Sequence, residues 1–184
     1  AIEDAMGIEV SSQTDKLRML LHYGEYIESH VLHVGYLVAP DLLGVKSVVP
    51  LVSSHPDEVK NIIAAHRVGN ECMELIGGRM THPVSAVPGG FAKLPTDAQL
   101  KEYRQKLVDL VPRLKRIADL VASLAGGLPA FDRPTEYVAL VHPGLYTFYH
   151  GKIGSTDVPD LVEAQRFESV VNEYVTPQST AKWT

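Results

Sequence analysis

Histidine and cysteine are the residues of this chain best suited to metal or nucleophilic chemistry. His30 and His33 are three positions apart in a predicted helix, so both imidazoles project from one face and could supply two metal ligands. A zinc site needs three or four ligands, and the Glu-x-x-His pair of di-iron bundles does not occur in the sequence. The spacing therefore leaves two interpretations, a pair of metal ligands or hydrogen-bonding histidines at a core or interface, and it favours the second.

Cys72 is the one cysteine, so an internal disulfide is excluded. Its acidic neighbours Glu71 and Glu74 would raise the pKa of a thiol, which predicts a structural cysteine and not a nucleophile. The pairs Gly77-Gly78 and Gly89-Gly90 are not followed by Gly-Lys-Ser/Thr, so they do not form a phosphate-binding loop. From residue types alone, the chain has no visible active site.

Composition indicates a globular protein of 184 residues, 45% of them hydrophobic, which suits a single domain with a substantial core. The net charge of −5 and pI near 5.9 give no reason to expect nucleic-acid binding. No apolar run approaches the roughly 18–20 residues of a membrane span. With one cysteine and no recognisable leader, we expect a reducing, cytoplasmic location.

Apolar residues at helical spacing predict three long helices, over about residues 12–39, 57–77 and 97–125. Ser12 or Thr14 is a plausible first N-cap, and Pro40 is expected to end that helix. Gly24 and Gly35 inside it lower its stability unless a neighbouring backbone packs closely there.

The remaining elements follow from turn and capping residues. Gly77-Gly78 should end the second helix, and the prolines and glycines of residues 79–95 predict a loop. Thr96 and Gln99 have the form of a capping box for the third helix, in which Pro112 should introduce a kink.

After Gly126-Gly127, β-branched and aromatic residues predict a hairpin over about 136–154, with strands on either side of a Pro143-Gly144 turn. Residues 161–174 return to helical spacing and predict a C-terminal helix. The predicted fold class is mainly α with a small antiparallel β hairpin (α+β), a single domain over residues 1–184.

Two groups of motifs carry a family resemblance. Ser29-His30-x-x-His33 followed by Ala39-Pro40-Asp41, and Gly77-Gly78-Arg79 running through His82-Pro83 to Gly89-Gly90, occur in the order and spacing found in the large (alpha) subunit of nickel-iron hydrogenases. The segments Tyr137-x-Ala139-Leu140, Phe148-Tyr149-His150-Gly151 and Pro177-x-Ser179-x-Ala181-Lys182-Trp183 extend the resemblance over nearly the whole chain. The Pro-Asp ending is more similar to the soluble, multisubunit types linked to coenzyme F420 or NAD(P).

The resemblance implies a long-helix bundle and a role in reversible hydrogen oxidation by the full-length enzyme. In that family, two Cys-x-x-Cys motifs hold a nickel-iron centre with cyanide and carbonyl ligands. Both motifs are missing here, so we expect a central part of the large subunit that is inactive alone, with no catalytic residue, no metal ligand and no cofactor of its own.

The expected partner is the iron–sulfur small subunit, with further F420- or NAD(P)-linked subunits possible. The resemblance assigns Arg79 and His82 to that partner interface, near the proximal iron–sulfur cluster, where they would tune the potential of the cluster and exclude water. It assigns His30 and His33 to the same region. The alternative, which stays open for His82, is that Pro83, Pro88 and the glycines only shape a tight loop in which His82 bonds to the backbone.

Two alternatives stay open at this point. A 49-kDa-like subunit of an NADH-quinone oxidoreductase would share Arg79-Met80 and Pro88-Gly89-Gly90, whereas Thr81 fits a hydrogenase better. A non-redox helical interaction module is the third hypothesis. Without its partner, the chain is expected to expose apolar surface and to self-associate.

Overall fold

The computed structural model describes residues 2–173, 177 and 182–183. Residues 172–173 and 182–183 are described by their backbone alone. The chain divides into two compact units, Ala1–Pro129 and Ala130–Thr184, where the sequence predicted one domain. None of the described helices is long and apolar enough to cross a membrane.

The first unit is built mainly from helices. Two strands, β1 (Ala86–Val87) and β2 (Gly90–Phe91), form a short antiparallel ribbon within it. The helices are α1 (Ile2–Met6), α2 (Ser12–Val31), α3 (Ala39–Leu42), α4 (Leu51–Ser54), α5 (Pro56–Gly77) and α6 (Asp97–Leu124).

The first long helix extends further than Pro40. Ser11, one residue before the predicted caps, is the N-cap of α2 and accepts a hydrogen bond from the Thr14 N–H. A π-helical segment, Leu32–Val38, joins α2 to α3, and the expected end at Pro40 is wrong because the helix continues to Leu42. The wider π-helical turns directly precede Pro40, so the helix accommodates a residue that has no N–H to donate.

The other two long helices agree with the sequence. Helix α5 begins at Pro56 and ends at Gly77, and α6 begins after Thr96. Both halves of the Thr96–Gln99 capping box are present, since each backbone N–H bonds to the other side chain. Helix α6 continues through Pro112 to Leu124.

Glycines allow α2 and the π-helical segment that follows it to approach α5 closely, as the sequence required for glycines at these helical positions. A Cβ on Gly24 would lie 2.5 Å from the Cβ of Cys72, and one on Gly35 would lie 2.5 Å from a methyl group of Ile62. On α5, a Cβ on Gly69 would lie 2.6 Å from the backbone nitrogen of Glu28. Contacts under 3.0 Å require the neighbour to move, so these positions admit no larger side chain without rearrangement.

Helices α2, α5 and α6 enclose two clusters of buried side chains. Polar contacts also connect α5 and α6, because the Tyr103 hydroxyl donates to the Val68 carbonyl at 3.0 Å and Arg113 donates to Asn61 at 3.1 Å. The clusters consist of Val31, Ile62, Ala65, Leu110 and Ile117 in one and Leu17, Cys72, Ile76 and Tyr103 in the other. The helical core of this unit matches the mainly α class predicted from the sequence.

The second unit contains a three-stranded antiparallel sheet in the order β3 (Val138–Val141), β4 (Lys152–Ser155), β5 (Val162–Glu163). The hairpin predicted over 136–154 is present, but β3 pairs with β4 and not with residues 146–149. The segment after Gly144 contributes a single bridge, Leu145 to His142. A further pair, β6 (Asn172–Glu173) with β7 (Lys182–Trp183), is antiparallel.

The predicted C-terminal helix over residues 161–174 is wrong over its described part. Val162 pairs with Ile153 in the sheet, and a 3₁₀ segment, Ala164–Ser169, follows it. Pairing with β4 is a long-range interaction that helical periodicity cannot reveal, and it outweighs the local pattern. Residue 174 lies outside the described residues, as does most of the motif over 177–183.

A candidate partner-facing loop

The loop that follows α5 is closed at its base by one carbonyl group. The Gly77 carbonyl accepts hydrogen bonds from the N–H groups of Val84 and Ser85, both at 2.9 Å. Gly78 takes a left-handed conformation, φ 86°, and its N–H caps the helix at Glu74. A Cβ on Gly77 would lie 2.7 Å from the Cβ of Pro83, so the Gly-Gly pair and the proline are what allow this tight return of the chain.

Arg79 and His82 lie together at the tip of this loop, which comprises residues 78–85. The Arg79 Nε donates to the His82 carbonyl at 2.6 Å. His82 has φ 52°, a left-handed conformation that costs a non-glycine residue on the order of 1 kcal/mol. The contact from Arg79 to the His82 backbone helps to hold that conformation.

The tip of the loop is exposed to solvent. Arg79, Thr81, His82 and Pro83 are all exposed, and Met80 and Val84 keep 44% and 58% of their surface accessible. Within the described part of the chain, the His82 imidazole has no hydrogen-bond partner. The loop therefore presents a guanidinium group, an imidazole and two apolar side chains without burying any of them, an arrangement suited to binding and not to stabilising this chain.

Ser85, which is buried, leads from the loop into the β1–β2 ribbon. The ribbon turns at Pro88-Gly89, with Gly89 at φ 80°, the conformation that the third position of a type II turn requires. The Ser85 carbonyl accepts the Ala92 N–H at 2.7 Å, which fixes the base of the ribbon.

Glu3 of α1 binds the turn of the ribbon. Its Oε1 accepts the Gly89 N–H at 2.7 Å and the Arg18 Nη2 at 2.7 Å, while its Oε2 accepts the Arg18 Nη1 at 2.8 Å. Arg18 also donates to the Val87 carbonyl at 3.2 Å. The hydrogen bonds from Arg18, then the one from Gly89, lower the pKa of Glu3 from 4.5 to about 2.

We call Glu3, Arg18 and their bonds to Val87 and Gly89 the Glu3 clasp. No motif in the sequence indicates this group of contacts. Arg18 and Gly89 lie 15 and 86 residues from Glu3 along the chain, and Val87 lies 69 residues from Arg18, so no local pattern joins them. Correlated changes among relatives are the kind of signal that would reveal such a contact from sequence.

His30 and His33 lie elsewhere on the helical unit. Both are exposed, His30 in the last turn of α2, with its ring 6.1 Å from that of Tyr26, and His33 in the π-helical segment. The Leu21 side chain of α2 packs beside Gly77, where the loop begins, since its Cδ1 would lie 3.3 Å from a Cβ on that glycine. At about 1.5 Å per residue, His30 and His33 are therefore displaced by roughly 14–18 Å along the helix.

Potential metal ligands are dispersed over the described part of the chain. Among the described residues, no group of three or more His, Cys, Asp or Glu side chains could hold a metal ion. Cys72 is fully buried, its Sγ donates to the Leu20 carbonyl at 3.3 Å, and burial raises its pKa to about 11. Nickel in such a centre requires several thiolates, and this buried thiol is neither ionised nor accompanied by a second one.

Comparisons with known proteins agree on one family. The chain is 30% identical to a subunit of the F420-non-reducing hydrogenase (vhu) of Methanocaldococcus jannaschii, over 99% of its length and 47% of the relative's. It is 37% identical to the sulfhydrogenase 2 alpha subunit of Pyrococcus furiosus over 69% of its length and 31% of the relative's. No protein-family model matches the chain.

A solved structure supports the same relationship. The crystal structure of an NAD+-reducing [NiFe]-hydrogenase in the H2-reduced state matches 95% of this chain and 43% of that one, with a TM-score of 0.70 and 26% identity. The chain spans less than half the length of these relatives. Fold and sequence together define a mainly helical hydrogenase subunit. The chain belongs to the large (alpha) subunit family of the nickel-iron hydrogenases.

Proposed function

We propose that this chain is the scaffold of a nickel-iron hydrogenase large subunit, in which the loop over residues 78–85 binds the iron–sulfur small subunit. The exposed, internally braced Arg79–His82 pair is the observation that carries this proposal. An interface loop gains affinity when its bound shape exists before binding, because less conformational entropy is then lost. Exposed Met80 and Val84 supply apolar contact area beside the two polar groups.

In the whole enzyme, the proposed activity is the reversible oxidation of hydrogen. The chain by itself lacks the thiolates that such a metal centre needs, so we expect its contribution to be support and docking. The names of the relatives include an F420-non-reducing and an NAD+-reducing hydrogenase, so of the acceptors predicted from sequence NAD(P) has more support. The cytoplasmic location stays a prediction.

The 49-kDa-like alternative and the non-redox module receive less support. The three relatives described above are named hydrogenases, and none of the three is named as a quinone reductase. A non-redox module would give no reason for a loop with the Gly-Gly-Arg and His-Pro residues of that family.

The test is the affinity of the 184-residue chain for the iron–sulfur small subunit of the same enzyme, measured by calorimetry. Arg79→Ala should weaken binding by about tenfold or more, since truncating an arginine that is a hot spot of an interface costs about 2 kcal/mol or more. Arg116→Ala is the matched control, because Arg116 is an exposed arginine on α6 beside Ile117, which packs in the buried cluster with Val31 and Ile62 and not in the cluster at the loop end of α5. Equal losses in the two variants, or no binding by the unmodified chain, would refute the proposal.

The imidazole of His82 can be tested separately from its backbone. His82→Asn removes the ring but tolerates positive φ, whereas His82→Ala changes both. In the intact enzyme, both variants should leave the nickel content unchanged while they slow electron transfer to the small subunit. Loss of nickel would instead point to a role in folding or maturation.

A further inference from the structure

The Glu3 clasp connects three parts of the helical unit through one carboxylate. Glu3 lies in α1, Arg18 in the second turn of α2, and Val87 and Gly89 in the β1–β2 ribbon. The side chains of Glu3 and Arg18 are each only about 20% exposed, so water competes weakly for these bonds. Both carboxylate oxygens are occupied, and Oε1 accepts from two donors at once.

The ribbon is continuous with the loop over residues 78–85. The loop is fixed at its start by the Gly77 carbonyl, through Val84 and Ser85, and β1 begins at Ala86, one residue further on. At the far end of the ribbon, the Gly89 N–H is bound by Glu3. Ile8 packs against the same glycine, since its Cγ2 would lie 3.2 Å from a Cβ at position 89. The loop and ribbon are therefore held at two points, one on α5 and one on α1 and α2.

We propose that Glu3 is a positioning residue, which holds the β1–β2 turn through Arg18 and the Gly89 N–H. The held turn keeps the loop over residues 78–85 in the shape that binds. This inference rests on the proposed function, because the consequence of the clasp is affinity for the small subunit. Glu3 itself touches neither Arg79 nor His82, so it acts through the ribbon.

Glu3→Gln is the informative substitution, and Glu9→Gln, an exposed glutamate on the linker after α1, is its control. Glutamine keeps the length of the side chain but replaces one carboxylate oxygen with an amide NH2 group, which would face a donor of Arg18. In the free 184-residue chain, amide exchange at Gly89 and across residues 78–91 should become about tenfold faster or more, with exchange in α5 and α6 unchanged.

The second readout is affinity for the small subunit. Glu3→Gln should weaken it by about tenfold, a change that a purely structural role of Glu3 in α1 would not produce. Faster exchange with unchanged affinity would overturn the inference, as would unchanged exchange. If amide exchange in α5 and α6 also becomes faster in Glu3→Gln, Arg18→Lys is the second variant, since lysine keeps the positive charge but loses the paired bonds. Faster exchange confined to residues 78–91, together with weaker binding, supports the clasp. Exchange and affinity equal to those of the Glu9→Gln control overturn it.

The two proposals fail in different ways. If the unmodified chain does not bind the small subunit, the proposed function is wrong and the role of Glu3 is refuted with it. If the unmodified chain binds and Glu3→Gln binds equally well, the proposed function stands and only the clasp is refuted.

Discussion

The contact between Gly35 and Ile62 allows a quantitative test of how closely the helices pack. Gly35 lies in the π-helical segment, and Ile62 of α5 is only 2% exposed. A Cβ at position 35 would lie 2.5 Å from Cγ2 and 2.9 Å from Cγ1 of Ile62, where ordinary contact begins at 3.4 Å. Gly35→Ala therefore inserts a methyl group into occupied space.

The expected energies follow from two opposing effects. Overpacking costs about 1–3 kcal/mol, and replacing a helical glycine returns roughly 0.5–1 kcal/mol, so Gly35→Ala should lower the free energy of unfolding by about 0–2.5 kcal/mol. Ile62→Ala alone should cost about 2–5 kcal/mol through the cavity that it leaves. In the double variant, the clashing carbons are absent and the new methyl group fills part of that cavity. The double variant should therefore be less destabilised than the sum of the single variants by about 1–3 kcal/mol.

The assay is urea unfolding of the four chains followed by far-ultraviolet circular dichroism, with equal m values as the condition for comparing them. Gly126→Ala is the control for the glycine, because a Cβ there would meet no atom within 4 Å, and its effect should be additive with that of Ile62→Ala. Additivity of Gly35→Ala and Ile62→Ala within about 0.5 kcal/mol would refute the close contact.

Four further predictions concern the thiol, the clasp, association and metal. Because burial raises the pKa of Cys72 to about 11, a thiol reagent at pH 8 should label it only as fast as the chain opens, and labelling of the folded chain at the rate of a free thiol would contradict this. Glu3 has a pKa lowered to about 2, so its carboxylate stabilises the fold above pH 4.5 and that contribution disappears as the pH falls from 4.5 to 2. Glu3→Gln should flatten this part of the pH profile of urea midpoints, and parallel profiles would be inconsistent with the clasp. The isolated chain should self-associate through its exposed apolar side chains, and light scattering that finds a monomer at high concentration would argue against it. Metal analysis should find no stoichiometric nickel in the isolated chain, and one nickel per chain would disprove that expectation.

Helices were the most predictable part of the fold because their signals are local. The capping box at Thr96 and Gln99 identified the start of α6, and the Gly77-Gly78 pair identified the end of α5. Pro40 misled the prediction, because a π-helical segment before it lets the helix continue, and π-helical bonding has no distinct sequence pattern.

Strand pairing was less predictable because it depends on distant residues. The β-branched residues of β3 were recognised, but the partner of β3 is β4, which lies beyond the intervening residues 142–151. The apolar spacing of residues 161–174 satisfies a helix, yet Val162 pairs with Ile153. Local periodicity records which residues are apolar, and it does not record which backbone is available to pair with them.

The candidate site shows the same difference between local signals, which the sequence contains, and contacts between distant residues, which it does not. Arg79 and His82 could be singled out from the sequence, since they belong to one short motif whose shape its own glycines and proline impose, and their place at an interface stays a prediction. What holds that motif in position could not be predicted, since the Gly89 N–H bonds to a carboxylate 86 residues away. The side chains of residues 79–84 are all exposed and gain little from packing, so the order of the loop comes from the Arg79–His82 contact and from the bonds at its ends. The affinity of the Arg79–His82 loop should therefore be as sensitive to Glu3, which lies outside the motif, as to residues within it.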